Sequence, residues 1–452
     1  MRLLFCCELY HPSRGGVQEV MRQVAERLAA AGHDVTVATS YLPDRNFTSH
    51  NGVAIQAFKV AGNAIVGLRG EVGRYRDFVL NCRADAILIK AAQQWTFDAL
   101  WPILDKIKAR KIFIPCGFSR FYEESFAAYY AQLPDVLRKF DHLIFYAQKY
   151  RDIDFARAHG ITNYSILPNG ASELEFEVSV EAAFRERIGI SDNAFVFLTV
   201  GSPIEGKGHL QIAEAFSRLE TGGRPATLIL NGKWPELSNS QGVMPGSAPI
   251  EARVSRLRRP LRWVIRGVSR AHRIAGAIRT EGWVGFKMRA KANLQRWRAG
   301  GISKWIEQAN AQAGKQVLCT DLPRADVVQA FMTADLFVFA SVTEYSPLVL
   351  FEAAAAGTPF LSVPVGNAED IARMTGGGII CPAAKDDRGY VRVAPAVLAR
   401  EMERCMADPD KLALLGAVGK ERWRRMFTWQ AIVPRYEAIL SGRTSGVGET
   451  NP

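Results

Sequence analysis

Two glutamates with seven residues between them stand around the start of a predicted helix, and no other feature constrains the fold as strongly. Ser346 and Pro347 are typical of the N-cap and the first residue of a helix, and Gly357 is typical of a helix end. Glu344 is then predicted before the helix and Glu352 within it. A short apolar run precedes this segment and predicts a buried strand. Free backbone N–H groups at such a helix start can bind phosphate. Taken alone, the two glutamates also fit an ordinary surface helix.

Short apolar runs alternate with helical apolar patterns along both halves of the chain, which predicts two doubly wound α/β domains. The strands predicted in the first half are Leu3–Cys7, Val35–Ala38, Ala86–Ile89, Lys111–Pro115, His142–Tyr146 and Ser165–Leu167. Those predicted in the second half are Ala194–Val200, Ala226–Leu230, Gln316–Leu318, 334–340, Thr358–Val363 and Ile379–Ile380. Helices are predicted across Val327–Ala330 and Trp429–Leu440. The turn Pro168-Asn169-Gly170 closes the first domain.

Composition is that of a large globular enzyme. At 452 residues and 48% hydrophobic content, the chain can form more than one core. No apolar run approaches the roughly 20 residues that span a bilayer. We interpret the first seven residues as a buried strand rather than a signal peptide, because Glu8 interrupts them. The seven cysteines are scattered without a C-x-x-C pair, so neither a disulfide framework nor a zinc site is predicted, and a reducing compartment is favoured.

The formal net charge of +12 is concentrated in one segment. Between Arg253 and Arg298 there are fourteen Lys and Arg and one acid, Glu281, so this segment carries +13 and the remainder about −1. Apolar residues recur at helical spacing with arginines on the other faces, which is typical of a basic amphipathic helix at an anionic membrane surface. The alternative is a solvated helix packed on the second domain. Nucleic-acid binding is not favoured, because no recognition module accompanies the charge.

Two further loops contain chemistry that suits a phosphate. Gly15 and Gly16 lie between the first strand and its helix, where the absence of side chains lets a ligand approach the backbone. Lys207 lies in a glycine-flanked loop after a strand, where its ammonium can meet a diphosphate. The alternatives are an ordinary tight turn and a solvated lysine.

In combination, the glutamate pair, the two loops and Pro168-Asn169-Gly170 resemble the retaining glycosyltransferases of family 4, which use nucleotide sugars. The resemblance implies the GT-B fold, with two facing Rossmann-like domains. It assigns residues 1–170 to an acceptor-binding domain and 171–428 to a donor-binding domain with a basic helical insert at about 235–305. It further implies a crossover helix at 429–442, and residues 443–452 are predicted to be a disordered tail.

The resemblance also implies roles for individual residues. Glu352 would bind the ribose hydroxyls of the donor, and Glu344 would lie beside the transferred sugar. Lys207 would contact the diphosphate together with the Gly15–Gly16 loop. The backbone of the helix start would contribute further donors, from Ser346, Pro347, Leu348 and Val349. Transfer on the front face of the sugar needs neither a separate base nor a metal, and no metal or other cofactor is expected.

Three departures from the family pattern affect these assignments. Ser202 stands where the family has an arginine for the diphosphate, so another cation or the helix N-termini must replace it. Tyr345-Ser346-Pro347 replaces Gly-Phe-Gly after the first glutamate and stiffens the backbone near the sugar. Cys116 replaces an acceptor-side histidine. His11 is the one histidine that we place at the cleft, and a structural role is the alternative for it.

The function predicted is that of a retaining hexosyltransferase that moves a sugar from a nucleotide sugar to a lipid-linked or saccharide acceptor. We expect it to act in cell-surface polysaccharide or glycolipid synthesis at the cytoplasmic face of the membrane. Two alternatives share the architecture. One is a nucleotide-sugar 2-epimerase, which would form an epimerised sugar nucleotide without an acceptor. The other is a catalytically silent protein that binds nucleotide sugars without turnover.

Overall fold

Two parallel β-sheets organise the protein, as the sequence predicts. The computed structural model describes residues 1–234 and 301–443. The first sheet contains β1 (Arg2–Cys6), β2 (Asp34–Ser40), β3 (Ser49–His50), β4 (Val53–Phe58), β7 (Ala86–Lys90), β8 (Arg110–Ile114), β9 (His142–Phe145) and β10 (Tyr164–Ile166), and a small hairpin pairs β5 (Val60–Ala61) with β6 (Arg69–Gly70). The second sheet contains β11 (Phe195–Val200), β12 (Ala226–Asn231), β13 (Lys315–Thr320), β14 (Leu336–Phe339), β15 (Phe360–Ser362) and β16 (Gly378–Ile380), and β17 (Ala384–Lys385) pairs with β18 (Val391–Arg392).

The strand order of each sheet reverses near its middle. In the first sheet the order is β10-β9-β8-β7-β1-β2-β4-β3, so the chain builds outward from β1 on one side and returns to β7 on the other. In the second it is β13-β12-β11-β14-β15-β16, with the same reversal between β11 and β14. Neighbouring strands are parallel, apart from β3 against β4. Ligands of doubly wound domains bind outside the carboxyl ends of the strands at such switch points.

Helices cover the faces of both sheets. In the first domain they are α1 (Gly16–Ala30), α2 (Val72–Asn81), α3 (Trp95–Asp98), α4 (Ala127–Leu137) and α5 (Arg151–Ala158). Then follow α6 (Glu173–Phe176), α7 (Phe184–Arg187), α8 (His209–Arg218), residues 301–310 as α9, α10 (Arg324–Thr333), α11 (Leu348–Ala356), α12 (Ala368–Thr375), α13 (Pro395–Ala407), α14 (Pro409–Met426) and α15 (Trp429–Leu440). In the described parts of the chain, none of the helices combines the length and the apolar character that crossing a membrane requires.

The last helix packs on the first sheet although it follows the second domain. Trp429, Ile432 and Tyr436 of α15 are buried in one apolar cluster with Leu3 and Phe5 of β1. Burying side chains of this size contributes about 1.5–3 kcal/mol each, so α15 joins the two domains firmly. Arg110 adds a hydrogen bond from its Nε to the Ile439 carbonyl at 2.9 Å.

One sequence-based prediction concerns residues outside the described ranges, and another is wrong about the start of a helix. The basic segment Arg253–Arg298 and nearly all of the predicted tail lie outside the described residues. The predicted helix start at Ser346 and Pro347 is wrong, since α11 begins at Leu348 with Pro347 as its N-cap and no side-chain cap. Pro347 has φ −69° and ψ 117°, which is extended backbone. Ser346 instead accepts from Asn169 Nδ2 at its carbonyl, at 3.1 Å, so a contact between domains holds it out of the helix.

Candidate active site

One cavity of about 730 Å³ lies between the carboxyl edges of the two sheets. It is lined by residues of both domains. Every residue predicted for the site is among them: His11, Gly15, Gly16, Cys116, Ser202, Lys207, Glu344, Ser346, Pro347, Leu348, Val349 and Glu352. The structure therefore brings the sequence-predicted residues together in one place.

Glu344 and Lys207 form an ion pair on the second domain. Lys207 Nζ donates to Glu344 Oε1 at 2.5 Å, and the buried Ser341 hydroxyl donates to the same oxygen at 2.8 Å. The loop that contains Lys207 touches the segment before Glu344 directly, since a Cβ on Gly208 would lie 2.2 Å from the Ala340 carbonyl oxygen. Gly208 also has a φ of +81°, which favours glycine. The carboxylate of Glu344 is thus fixed in the cavity before any ligand arrives.

Glu352 is held by an arginine that the sequence analysis did not identify. It is buried on α11, and Arg324 Nη2 donates to its Oε1 at 2.6 Å. Arg324 also donates to both carboxylate oxygens of Glu175, at 3.1 and 2.7 Å. Burial opposes the charge on Arg324, but the two carboxylates outweigh it and raise the pKa of Arg324. A carboxylate can accept about four hydrogen bonds, so Glu352 keeps room for hydroxyl donors from a ligand.

Two helix N-termini flank the cavity. Gly15 is the N-cap of the fifteen-residue helix α1 and Gly16 is its first residue, and a Cβ on Gly16 would lie 3.8 Å from Leu348 Cδ1 at the start of α11. The free N–H groups of a helix start favour an anion. Five cations also line the cavity: Arg14, Arg22, Lys90, Lys207 and Arg324. Position 202 provides no cation to the cavity, because it is a serine. Arg14 is the cation that directly precedes Gly15 and Gly16.

Tyr345 crosses from the second domain into the first. Its ring lies 5.5 Å from that of Tyr146 and 4.8 Å from that of Tyr150, measured between centroids. Its hydroxyl accepts from the Tyr146 backbone N–H at 2.9 Å and donates to the Asp152 carboxylate. Tyr150 in turn donates its hydroxyl to the Glu344 carbonyl at 2.5 Å. The segment that contains Glu344 is therefore anchored to the opposite domain.

Gly117 and Asp152 of the first domain contact Tyr345. Gly117 has φ +82°, and a Cβ there would lie 2.8 Å from Tyr345 Cγ, so only glycine fits. The Gly117 N–H donates to Asp152 Oδ2 at 2.8 Å. Burial raises the pKa of Asp152 to about 6, although its hydrogen bonds lower it.

The acceptor-side candidates have different surroundings. His11 stacks on His50 with 3.9 Å between ring centroids, and burial is the main cause that lowers its pKa. This stacking fits the structural alternative for His11, although the residue lines the cavity. Cys116 has φ +61°, and burial raises the pKa of its thiol to about 11, so the thiol is protonated at neutral pH.

Sequence reasoning missed Arg324, Glu175, Asp152 and Lys90. Arg324 lies 28 residues before Glu352 and 149 residues after Glu175, and Asp152 contacts a tyrosine of the other domain, so no local pattern shows these pairings. Lys90 directly follows the apolar residues Ala-Ile-Leu-Ile of a buried strand. A lysine at the carboxyl end of such a strand was the one sequence signal that could have identified it as a cavity residue. Among residues 1–234 and 301–443, no group of three or more His, Cys, Asp or Glu side chains is arranged to hold a metal.

Residues 286–408 match the model of the family Glycosyl transferases group 1. Sucrose-phosphate synthase from Thermosynechococcus elongatus superposes with a TM-score of 0.69 at 16% identity, over 98% of each chain. HepE of Anabaena, solved in complex with UDP, gives a TM-score of 0.65 at 14% identity, over 98% of this chain and 100% of its own. WaaG, a glycosyltransferase involved in lipopolysaccharide biosynthesis, gives 0.58 at 15%, over 97% of this chain and 100% of its own.

No curated protein matches the chain by sequence. At the identities above, the structural likeness concerns the fold. The protein has the GT-B fold of glycosyltransferases, and the match to the group 1 family model lies within its second domain, over residues 286–408.

Proposed function

We propose that the protein is a retaining glycosyltransferase that transfers a hexose from a nucleotide sugar to a lipid-linked or saccharide acceptor. The observation that carries the proposal is the placement of Glu344, Glu352 and Lys207 in one cavity opposite the Gly15–Gly16 loop. The fold and the group 1 match over residues 286–408 support a glycosyltransferase. HepE, which shares the fold, is solved in complex with UDP-glucose, which supports a nucleotide-sugar donor.

In this proposal the second domain binds the nucleotide. Glu352, oriented by Arg324, accepts hydrogen bonds from the ribose hydroxyls through its remaining lone pairs. The diphosphate lies between the N-termini of α1 and α11, near Lys207. Arg14 supplies the second cation that the serine at position 202 does not, since Arg14 lines the same cavity. A cation beside the leaving diphosphate stabilises the charge that develops as the glycosidic bond breaks.

Glu344 is proposed to act at the transferred sugar. Its carboxylate is fixed by Lys207 and Ser341, so it can bind sugar hydroxyls or stabilise positive charge at the anomeric carbon. The acceptor hydroxyl attacks from the face that the diphosphate leaves, and a phosphate oxygen takes its proton. This route needs neither a separate base nor a metal, and we propose a metal-independent reaction.

The acceptor and the cellular location are proposed on sequence grounds. The +13 charge between Arg253 and Arg298 suits an anionic membrane surface, which favours a lipid-linked acceptor at the cytoplasmic face. A role in cell-surface polysaccharide or glycolipid synthesis would follow. WaaG, with the same fold, is involved in lipopolysaccharide biosynthesis, which agrees with this proposal.

The donor site is tested with a thermal-shift panel of nucleotide sugars, followed by calorimetry on Glu352→Ala. The variant should bind the nucleotide more weakly by about 1.5–3 kcal/mol, because the ribose hydroxyls lose a charged partner. Arg324 keeps Glu175, so the fold should persist. Glu369→Ala, at an exposed glutamate of α12, is the control and should not change affinity. Unchanged nucleotide affinity in Glu352→Ala would overturn the assignment.

A further inference from the structure

Lys90 is a buried cation in the wall of the cavity. It ends β7, which lies between β1 and β8 in the middle of the first sheet. Its residue is 1% exposed, and its Nζ has no hydrogen-bond partner among residues 1–234 and 301–443. It lines the same cavity as Cys116 and Tyr146, on the first domain.

The groups around Lys90 do not neutralise it. Its Nζ lies 5.0 Å from the ring centroid of Tyr146, and within the described parts of the chain the titratable groups that act on it are the thiols of Cys116 and Cys7. Burial raises the pKa of these thiols to about 12 and about 11, so both are neutral at physiological pH. Burial also lowers the pKa of Lys90 to about 8, which still leaves most of the ammonium charged at pH 7.

The other buried or half-buried cations of the cavity have carboxylate partners. Arg22 pairs with Glu19, Lys207 with Glu344 and Arg324 with Glu352. A buried ammonium without a partner costs free energy, and a leucine or methionine would fill the same place without that cost. Its presence at the carboxyl edge of a sheet, in the wall of a ligand cavity, indicates that the missing partner is on a ligand.

We propose that Lys90 forms an acceptor-side subsite for an anionic group, a phosphate or a carboxylate carried by the acceptor. The inference rests on the proposed glycosyl transfer. The acceptor side is favoured because Lys90 lies beside Cys116, which occupies the acceptor-side position of the family pattern, whereas Glu352 and Lys207 lie on the second domain. Tyr146 connects the subsite to the reaction, since its ring centroid lies 5.0 Å from Lys90 Nζ and 5.5 Å from the ring of Tyr345, the neighbour of Glu344.

The test measures binding of small sugars to the full-length protein saturated with a nucleoside diphosphate. Glucose, glucose 6-phosphate and glucuronate are titrated by calorimetry into wild type, Lys90→Met and Lys106→Gln. Lys106 is an exposed lysine of the same domain and serves as the control. Wild type and Lys106→Gln should bind at least one acidic sugar about tenfold or more tighter than glucose. Lys90→Met should lose this preference and bind glucose unchanged.

The melting temperature separates a binding role from a structural one. Lys90→Met should melt at the same temperature as wild type or higher, because it removes a buried unpaired charge. A fall in melting temperature with an unchanged preference for acidic sugars would show that Lys90 serves packing against Tyr146 instead. Preference for only one acidic sugar identifies phosphate or carboxylate as the ligand group.

Three other outcomes are decisive. If nucleoside diphosphate fails to bind wild type, the proposed function itself fails and the subsite is lost with it. If the diphosphate binds but acidic and neutral sugars bind equally, the donor site stands and the acceptor subsite is wrong. The protein could instead prefer a nucleotide sugar whose sugar is acidic, in a way that depends on Lys90, and show no preference among free sugars. Lys90 would then contact the donor rather than the acceptor, and the proposal would be overturned.

Discussion

Ion pairing determines whether each cation of the cleft is fixed in place or free to reorient toward a ligand. Lys207 and Arg324 are fixed by Glu344 and Glu352, so both pairs are oriented before a donor enters. Preorganised charges of this kind stabilise a developing charge without reorganisation during the reaction. Arg14 differs, because it is exposed and has no ion-pair partner in the described parts of the chain. It is therefore free to turn toward a diphosphate.

Arg14 and Ser202 can be tested together. Arg14→Gln should weaken nucleoside diphosphate binding by about 1 kcal/mol, the upper value for an exposed charge pair. Ser202→Arg should tighten binding in the Arg14→Gln background, because it restores the arginine at the family position. Calorimetry on the single and double variants gives both values, with Arg83→Gln as an exposed control. Weaker binding in the double variant than in Arg14→Gln would contradict the replacement.

Sequence alone could predict individual residues of the cavity where a local pattern carries the information. Glu344, Glu352 and Lys207 were predicted because they lie at a strand end or around a helix start, and all three line the cavity. Lys90 was missed because the run Ala86–Lys90 looks like an ordinary buried strand with a terminal lysine. Its surroundings without a countercharge are formed by Cys7, Cys116 and Tyr146, which follow the strands β1, β8 and β9.

The loop between β14 and α11 is where the two domains meet. Tyr345 in this loop contacts Tyr146, Tyr150 and Asp152, and the neighbouring Ser346 carbonyl accepts from Asn169. The family pattern of two glycines would leave such a loop free, and here tyrosine and proline replace them. We infer that these contacts hold Glu344 at a fixed position relative to the first domain.

Tyr345→Phe should reduce turnover more than donor affinity. The substitution leaves the Tyr146 N–H without its acceptor and removes one hydrogen bond from the buried Asp152 carboxylate, which keeps the Gly117 N–H, and this costs about 1–3 kcal/mol. The melting temperature should fall, and kcat should fall while the affinity for nucleotide stays near that of wild type. Tyr41→Phe, at an exposed tyrosine, is the control. Loss of nucleotide affinity with unchanged kcat would mean that Tyr345 serves the donor site rather than Glu344.

Helices were harder to predict than central strands. The buried strands stand out as short apolar runs, and their predicted bounds agree with the structure to within one or two residues. The long helix α14 was missed because Gly416 and Gly419 suggest a break in the sequence. In the structure these glycines allow close packing, and a Cβ on Gly416 would lie 2.2 Å from the Gly357 carbonyl oxygen. Such a contact joins distant segments, so no local pattern shows it.

The charge of the protein is divided between a nearly neutral body and one basic segment. Residues 253–298 carry +13 while the rest carries about −1, and this segment lies outside the described residues. The cavity is built from residues before and after it. Membrane attachment and donor binding should therefore be separable by mutation.

Vesicle co-sedimentation tests the basic segment. The protein should bind vesicles with anionic lipid and release as salt rises, because exposed charges are screened over about 8 Å at physiological ionic strength. Replacing Arg262, Arg266, Arg270 and Arg273 by glutamine should lower vesicle binding and leave nucleotide affinity unchanged. The same change at the exposed Arg83, Arg388, Arg400 and Arg425 removes equal charge and should lower it much less. Equal retention on neutral and anionic lipid would contradict membrane attachment.

Proton NMR of the products formed from an α-linked nucleotide sugar decides whether the cleft performs retaining transfer. Wild type should form an α-linked product with a saccharide or lipid-linked acceptor, at a rate that EDTA leaves unchanged. Glu344→Ala should lose at least about a hundredfold in rate, the scale of one removed transition-state contact, and still bind the donor. A β-linked product, an epimerised nucleotide sugar formed without acceptor, or full activity in Glu344→Ala would contradict this mechanism.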